Sequence, residues 1–464
     1  MDSDLNTVLE ATQGEQVRGE ASARFSGVSI NSRTLKAGEL FFCIQGDRFD
    51  GHDFLNDAIA KQAAGVIVSD RARLPLDRMA DGPFAVQVPD TLKALQDLAA
   101  FHRNQHKVRM VGVTGTNGKS TTKEMIAAIT STQFKTLKTQ GNLNNHIGLP
   151  LTLLDLNAEH EVAVLEMGMS AAGEIRRLAE IARPEIGVIT NISEAHMVHL
   201  ETIHDVQAAK GELFEALPET GAAVVNADDP LVRELVGNLR ARIITFGLDP
   251  TADVQARDIR SADVGGIEFT ANVFDATVPV RLPFSGMHNV SNALAALAVG
   301  AALGMDANSM ASGLQRTQGL DQRGQIFEHQ GMTLLNDTYN ANPRSMLEAI
   351  KTLRALPCSG RRFLVIGDML ELGAQEEAAH RKVGQWAEEN EIDCLVSVGV
   401  LAKLAADAAV NAGMKRDHVH SAETHDEAAQ YLTHHARKGD CLLFKGSRGS
   451  QMETVIERFT GSDR

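Results

Sequence analysis

The run Val111-Gly112-Val113-Thr114-Gly115-Thr116-Asn117-Gly118-Lys119-Ser120-Thr121 promises chemistry more directly than any other part of the chain. An apolar strand from Arg109 to Val113 leads into a glycine-rich turn, which ends in Gly-Lys-Ser and opens a helix from Ser120 to Thr130. In such a turn the backbone N–H groups and the positive end of the helix face an anion. Lys119 is placed to reach β- and γ-phosphates, and the Ser120 hydroxyl to sit on Mg²⁺. The usual pattern G-x-x-x-x-G-K-[ST] wants glycine where this chain has Val113, so the loop is a shortened variant that keeps Gly115 and Gly118.

Further polar residues fall where an α/β sheet places function, at the carboxyl ends of parallel strands. Glu166 ends the apolar run Val162-Ala163-Val164-Leu165, the position from which a nucleotide-binding sheet holds Mg²⁺. His196 follows the strand Ile186–Thr190. A lone histidine there reads first as a surface or satisfied core residue. Lys210 lies in a helix shortly after it, and by spacing alone is an exposed lysine. Asn142, Asn144 and Asn145, flanked by glycines, read as turn formers or as neutral donors to phosphate or carboxyl oxygens. In Asp337-Thr338-Tyr339-Asn340-Ala341-Asn342-Pro343, Asp337 is a candidate acceptor for ribose hydroxyls. The same run also reads as an Asx-turn and helix cap with Pro343 near the first helical position.

Three units carry these residues. Residues 1–89 hold strand-like runs at Leu40 to Gln45, Gly65 to Ser69 and Phe84 to Val88. They also hold a helix from Phe54 to Ala64 and the polar loop Gly46 to His52. A linking amphipathic helix opens residues 90–318. There strands at Val162 to Met167, Ile186 to Thr190, Ala222 to Asn226 and Arg242 to Phe246 alternate with helices, including one from Pro230 to Leu239. That alternation predicts a parallel sheet. From Asp253 to Phe284 the period changes to two, with a Gly265-Gly266 turn, which predicts an antiparallel appendage. Residues 319–464 repeat the strand–helix alternation as a Rossmann-like α/β unit without G-x-G-x-x-G, so no nicotinamide cofactor is expected.

Composition narrows the function classes. The net charge of −15 disfavours nucleic acid and anionic membrane as partners, and 4% aromatic residues leave few stacking platforms. The apolar run from Ala293 to Met305 is too short to span a membrane and suits a buried helix. The acidic start Met1-Asp2-Ser3-Asp4 lacks an apolar core and does not read as a signal peptide. Cys43, Cys358, Cys394 and Cys441 are widely spaced and read as reduced core residues of a cytoplasmic protein.

The loop Thr114–Thr121 resembles that of the Mur ligases, ATP-dependent amide-bond ligases of peptidoglycan precursor synthesis, and the resemblance extends over essentially the whole chain. Four further motifs are similar to those of the members that add D-alanyl-D-alanine to UDP-N-acetylmuramoyl-tripeptide (UDP-MurNAc-tripeptide). They are Gly141-Asn142-Leu143-Asn144-Asn145, the Asp337–Pro343 run, Gly367-Asp368-Met369-Leu370-Glu371-Leu372-Gly373 with a later His380, and Lys445-Gly446-Ser447-Arg448. The D-N-P-R signature of the diaminopimelate- and lysine-adding members is absent. The alternative is another ligase of the superfamily, such as a folylpolyglutamate synthetase, which shares the loop but lacks a UDP-binding first domain.

The resemblance implies three α/β domains: a small UDP-binding one, a central P-loop one and a C-terminal one that binds the incoming dipeptide and closes on ATP. It implies ATP and two Mg²⁺. Thr114, Gly115, Thr116, Asn117, Gly118, Lys119, Ser120 and Thr121 would cradle the phosphates. Ser120 and Glu166 would hold one Mg²⁺. His196 and a carbamylated Lys210 would serve the second, and with Lys119 and Glu166 complete the catalytic set. His288, Asn289 and Asn292 would meet adenine, and Arg323 and Asp337 would close over ATP. Ser32, Arg33, Gly46, Asp50 and His52 would bind the UDP-linked substrate, although Asn31 stands where the family often has Asp. The polar residues Asn142, Asn144, Asn145, Tyr339, Asn340 and Asn342 would complete the substrate contacts. The implied partners are two small molecules, UDP-MurNAc-tripeptide and D-alanyl-D-alanine, with no nucleic acid, no membrane insertion and a monomeric protein.

Overall fold

The computed structural model describes every residue except 21, 47, 80, 81, 195–199, 263–265 and 462–464. Its architecture is α/β, built on three large sheets and one two-stranded ribbon. The first sheet has five short strands. Val28–Ser29, Leu40–Phe42, Gly65–Val68 and Phe84–Gln87 run parallel, and Glu15–Arg18 is added antiparallel at the edge. The helix expected from Phe54 to Ala64 is a 3₁₀ turn, Gly51–Phe54, followed by a shorter α-helix, Leu55–Ala60. Gln62 in the left-handed region ends the helical path.

The central sheet has nine strands. Arg109–Thr114 is an interior strand, third from one edge, parallel to Val162–Glu166 on one side and Ile186–Ile189 on the other. Burial on both faces explains its unbroken apolar sequence. Val111 and Val113 pack towards Ile126 and Ile129 of the helix Lys119–Thr130, while Met110 joins Leu165 and Leu213 on the opposite face. Val254–Ala262, Gly266–Val273 and Ala276–Leu282 form the expected antiparallel appendage. It continues the main sheet, because Phe246 and Gly247 pair parallel with Val254 and Gln255. The turn residue Gly265 lies outside the described residues. The helix expected from Pro230 to Leu239 spans only Pro230–Glu234, and Gly237, a poor helix former, falls in the turns that follow.

The third sheet has six strands in the spatial order Gln325–His329, Met332–Asp337, Cys441–Lys445, Arg362–Gly367, Cys394–Val398 and Val419–Ala422. All but the first pair are parallel. Cys441–Lys445 is latest in sequence yet sits between two earlier strands, so the chain order reverses there. A crevice opens at such a point, outside the carboxyl ends of the strands.

The alanine-rich run forms the core of the helix Met287–Ala302, with Ala293 through Val299 fully buried. Among the described residues no helix is long and apolar enough to cross a membrane. The four cysteines are free thiols; Cys43, Cys394 and Cys441 are buried and Cys358 is half-buried.

The linking helix, Thr91–Asn104, is capped by Asp90, whose carboxylate accepts from Leu92 N and Lys93 N at 2.8 and 2.9 Å. Near its far end His102 is buried and donates Nε2–H to Leu156 O at 3.0 Å. Burial pushes this imidazole from 6.5 down to about 4. Between those two values the unfolded chain binds a proton that the folded chain does not, so stability falls as pH drops from 6.5 towards 4. The loss reaches about 3 kcal/mol at the acid end. His102→Gln keeps a donor for Leu156 and should flatten this limb when melting temperature is followed from pH 7 to pH 4.5. An unchanged slope in the variant would assign the acid sensitivity to other groups.

Candidate functional site

The phosphate-type loop is fixed by contacts from the next strand. Gly115 has φ +144° and Gly118 φ +81°. A Cβ on Gly115 would lie 1.9 Å from Thr190 Oγ1, and one on Gly118 2.3 Å from Asn292 Oδ1, so each glycine admits a specific polar neighbour. Thr190 Oγ1 and Asn191 Nδ2 both donate to Asn117 O, at 2.6 and 2.9 Å. Asn117 N donates back to Asn191 Oδ1 at 3.0 Å, and Thr116 N to Asn191 O at 2.9 Å. Thr190 and Asn191 were not singled out from sequence. The strand-end rule that pointed to Glu166 applies to them equally.

Lys119 Nζ folds over its own loop and donates to Gly115 O and Thr116 O at 2.9 and 3.1 Å. Burial pushes its ammonium below the usual range; Glu166 pulls the other way and Arg323 reinforces burial. Glu166 is 2% exposed. Its Oε1 accepts from Asn144 Nδ2 at 2.8 Å, while its buried Oε2 has no hydrogen-bond partner among the described residues. That carboxylate oxygen, in the cavity that the buried Ser120 also lines, has the donor chemistry a hard divalent cation requires. Lys210 is 2% exposed rather than on a solvated helix face, because the helix Ile203–Glu215 turns it towards the loop. Burial, followed by the charge of Lys119, holds its pKa well below the ordinary lysine value. His196 lies outside the described residues.

These groups line a cavity of about 800 Å³. Asn117 through Thr121, Glu166 and Lys210 form its floor, with Asn142, Asn144 and Asn145 alongside. His288, Asn289 and Asn292 form one wall. The third unit supplies the facing wall with Arg323, Asp337, Tyr339, Asn340, Asn342 and Lys445. Thr116 also borders the cavity. Thr114 and Gly115 do not, and Thr114 instead donates Oγ1 to Met167 O at 2.8 Å.

Several side chains in this cavity are already committed. Asn145 Oδ1 accepts from Gly148 N at 2.9 Å at the start of the helix Gly148–Leu154. Asn292 Oδ1 accepts from Thr122 Oγ1 at 3.2 Å, and Asn292 Nδ2 donates to Asn289 Oδ1 at 3.3 Å. Burial lowers the pKa of His288. Asp337 is paired with the buried Lys445 at 2.5 Å, and Lys445 also donates to Asn340 O at 2.9 Å. The Arg323 guanidinium stacks 3.8 Å above the Tyr339 ring centroid. Asn342 caps the helix Pro343–Ala355, with Pro343 in its first turn. His380 is buried in the third unit, where Nε2 accepts from Met369 N and Nδ1 donates to Glu376 O.

Ser32, Arg33, Gly46, Asp50 and His52 do not border this cavity. Asp50 and His52 instead join Ser69 and Arg73 in a hydrogen-bonded group within the first unit. His52 Nε2 accepts from Ser69 N at 3.0 Å, which leaves the proton on Nδ1 to donate to Asp50 Oδ1 at 2.6 Å. Burial alone would raise Asp50; the hydrogen bonds from His52 and Arg73 outweigh it and hold the carboxyl down at about 2. His52 therefore orients Asp50 and has no ring nitrogen left for a ligand. Asn31 Oδ1 accepts from Arg33 N at 2.9 Å, a turn-forming bond that an aspartate would make equally well.

Three family models match in order along the chain: the Mur ligase family catalytic domain over residues 24–103, the Mur ligase middle domain over 113–300, and the Mur ligase glutamate ligase domain over 322–448. The UDP-N-acetylmuramoyl-tripeptide--D-alanyl-D-alanine ligase of Bacillus subtilis is 38% identical over 93% of this chain and 92% of its own. The chain belongs to the Mur ligase family. The corresponding ligase of Escherichia coli is 39% identical over 85% of each chain. Among solved Mur ligases, MurF from Acinetobacter baumannii superposes with a TM-score of 0.91 at 30% identity, covering 100% of this chain and 99% of that one. MurF from Thermotoga maritima in complex with ADP gives 0.83 at 29%, over 94% and 97%. A folylpolyglutamate synthase from Mycobacterium tuberculosis shares the fold alone, at 18% identity over 80% of this chain.

Proposed function

We infer that this chain is the Mur ligase that adds D-alanyl-D-alanine to UDP-N-acetylmuramoyl-tripeptide, consuming ATP. The observation that carries the reading is the cavity itself: a phosphate-binding loop, an orphaned carboxylate and a buried lysine facing the carboxyl ends of a second sheet. The named relatives supply the substrates.

A carboxylate is a poor electrophile, and ATP corrects that. The tripeptide carboxylate attacks the γ-phosphorus and ADP leaves, giving an acyl phosphate. The dipeptide amine then attacks the acyl carbon; the C–O bond to phosphate breaks, and the nitrogen gives up a proton as the amide forms. Lys119 and the loop amides neutralise the phosphates during the first step. For this Lys119 exchanges its two loop carbonyls for phosphate oxygens. Ser120, Glu166, His196 and a carbamylated Lys210 are the proposed Mg²⁺ holders. When bound, two Mg²⁺ would neutralise charge on the transferring group. Because water destroys an acyl phosphate, the two facing walls must exclude it.

Residues 1–89 are proposed to take the UDP portion, through Ser32, Arg33 and the Gly46–Asp50 loop. Residues 90–318 would take ATP and residues 319–464 the dipeptide. We propose a monomer acting in the cytoplasm. Mass spectrometry of a mixture of the protein, UDP-MurNAc-tripeptide, D-alanyl-D-alanine, ATP and Mg²⁺ should show UDP-MurNAc-pentapeptide. Product only with folate and glutamate would replace this reading.

Arg323→Ala and Asp337→Ala should raise the KM for ATP by about tenfold or more, the weight of a charged hydrogen bond. UDP-MurNAc-tripeptide affinity by calorimetry should stay unchanged, since both residues lie far in sequence from Ser32 and Arg33. A large loss of that affinity would show that the substrates are assigned to the wrong units.

A further inference from the structure

Asn117 is a residue of the phosphate loop that hydrogen-bonds directly to the third sheet's unit. Its main chain is clamped from within the central unit, with N on Asn191 Oδ1 and O on Thr190 and Asn191. Its side chain leaves the loop and pairs reciprocally with Asn342. Asn342 Nδ2 donates to Asn117 Oδ1 at 2.8 Å, and Asn117 Nδ2 donates to Asn342 Oδ1 at 3.4 Å. Asn342 is buried, and its Oδ1 also accepts from Ser345 N at 2.9 Å as the helix cap. Two residues on, Arg344 Nη1 reaches Ile192 O and Asp229 Oδ2, each at 3.4 Å. Asp229 is buried, and the same Oδ2 accepts from Ile192 N at 2.9 Å. One turn of the third unit therefore grips both segments that shape the nucleotide floor: the phosphate loop and the strand end that clamps it.

We propose that Asn342 and Arg344 are positioning residues that couple docking of the third unit to the nucleotide-binding shape of the loop. The pairing is specific. Each Asn amide uses its donor and its acceptor on the other, so it forms only when helix Pro343–Ala355 is seated on the loop. Breakage of the asparagine pair frees the Asn117 side chain, and loss of the Arg344 contact releases Ile192 from one of its two charged neighbours. The nucleotide should accordingly bind more weakly when the grip is lost, and the third unit should swing further from the loop. The coupling rests on the ligase reading only for its turnover measurement; nucleotide binding and shape do not depend on it.

Asn342→Ser separates this role from helix capping. Serine caps as well as asparagine but is too short to reach Asn117. In the full chain, Asn342→Ser and Arg344→Gln should each weaken Mg–ADP binding by about five- to tenfold in calorimetry, the scale of one or two buried hydrogen bonds. Each should enlarge the radius of gyration of the ADP-bound protein in solution scattering and lower kcat, with melting temperature unchanged. The double variant Asn117→Ala/Asn342→Ser should bind ADP no worse than the weaker single variant. Unchanged ADP affinity and radius in Asn342→Ser would overturn the proposal. So would additive losses in the double variant, or a loss of turnover matched by a fall in melting temperature. A wild-type protein that closes on ADP through this pair but ligates nothing would refute the ligase reading and leave the coupling standing.

Discussion

Lys119→Ala is expected to abolish ligation, lowering kcat by about 10³-fold or more, the effect of deleting one charged stabiliser of a transferring phosphoryl group. The variant should remain folded. The loop is held by Thr190, Asn191 and the glycine conformations rather than by the lysine, whose Nζ donates to Gly115 O and Thr116 O of its own loop. Circular dichroism and UDP-substrate calorimetry check the fold, and product formation checks the chemistry. Near wild-type turnover would remove the phosphate-binding assignment at its root.

The second large effect is expected at Lys210. An ammonium offers donors only and cannot ligate Mg²⁺. Burial and the nearby Lys119 charge favour the neutral amine, the form that attacks carbon dioxide. In the proposed carbamylation the new N–C bond would form, a proton would leave, and the side chain would end in an anionic oxygen pair suited to a hard cation. Lys210→Ala should therefore lose activity by a factor on the order of 10² or more. Acetate should restore part of it by filling the vacated space with a carboxylate. Lys210→Arg should stay inactive, since it keeps a fixed positive charge. Full activity in Lys210→Arg would show that Lys210 is a structural lysine and return the proposed metal set to Ser120, Glu166 and His196.

The sequence announced the loop, Glu166 and the strand–helix alternation because each is a local pattern: an apolar run, a glycine pair, a period of two or of 3.6. What it concealed is set by contacts between distant residues. Lys210 looked solvated because helical spacing does not say which neighbour covers a face. Gly115 looked like a turn former, and only the fold shows Thr190 Oγ1 occupying the space a side chain would need. Asn144 reads as a turn former or a neutral donor to ligand oxygens, and only the fold shows its Nδ2 donating to Glu166 Oε1. His52 fell within a loop of binding character, yet both its nitrogens serve Asp50 and Ser69. For the run ending in Pro343 the sequence left a ligand role and a helix cap open; the structure shows Asn342 as the cap and Asp337 paired with Lys445.

The strand order of the third sheet has a consequence for biosynthesis. Cys441–Lys445 must slot between Met332–Asp337 and Arg362–Gly367, strands synthesised long before it. Until it emerges, both earlier strands carry an unsatisfied edge, and the nascent chain holds two half-sheets that cannot join. Such edges recruit strands from other chains. The third unit is thus exposed to misassembly late in translation, when the phosphate loop and its sheet are already complete. A chain cut short before Cys441 is expected to aggregate rather than to yield a partly active enzyme, and chaperone demand should concentrate on the last stage of synthesis.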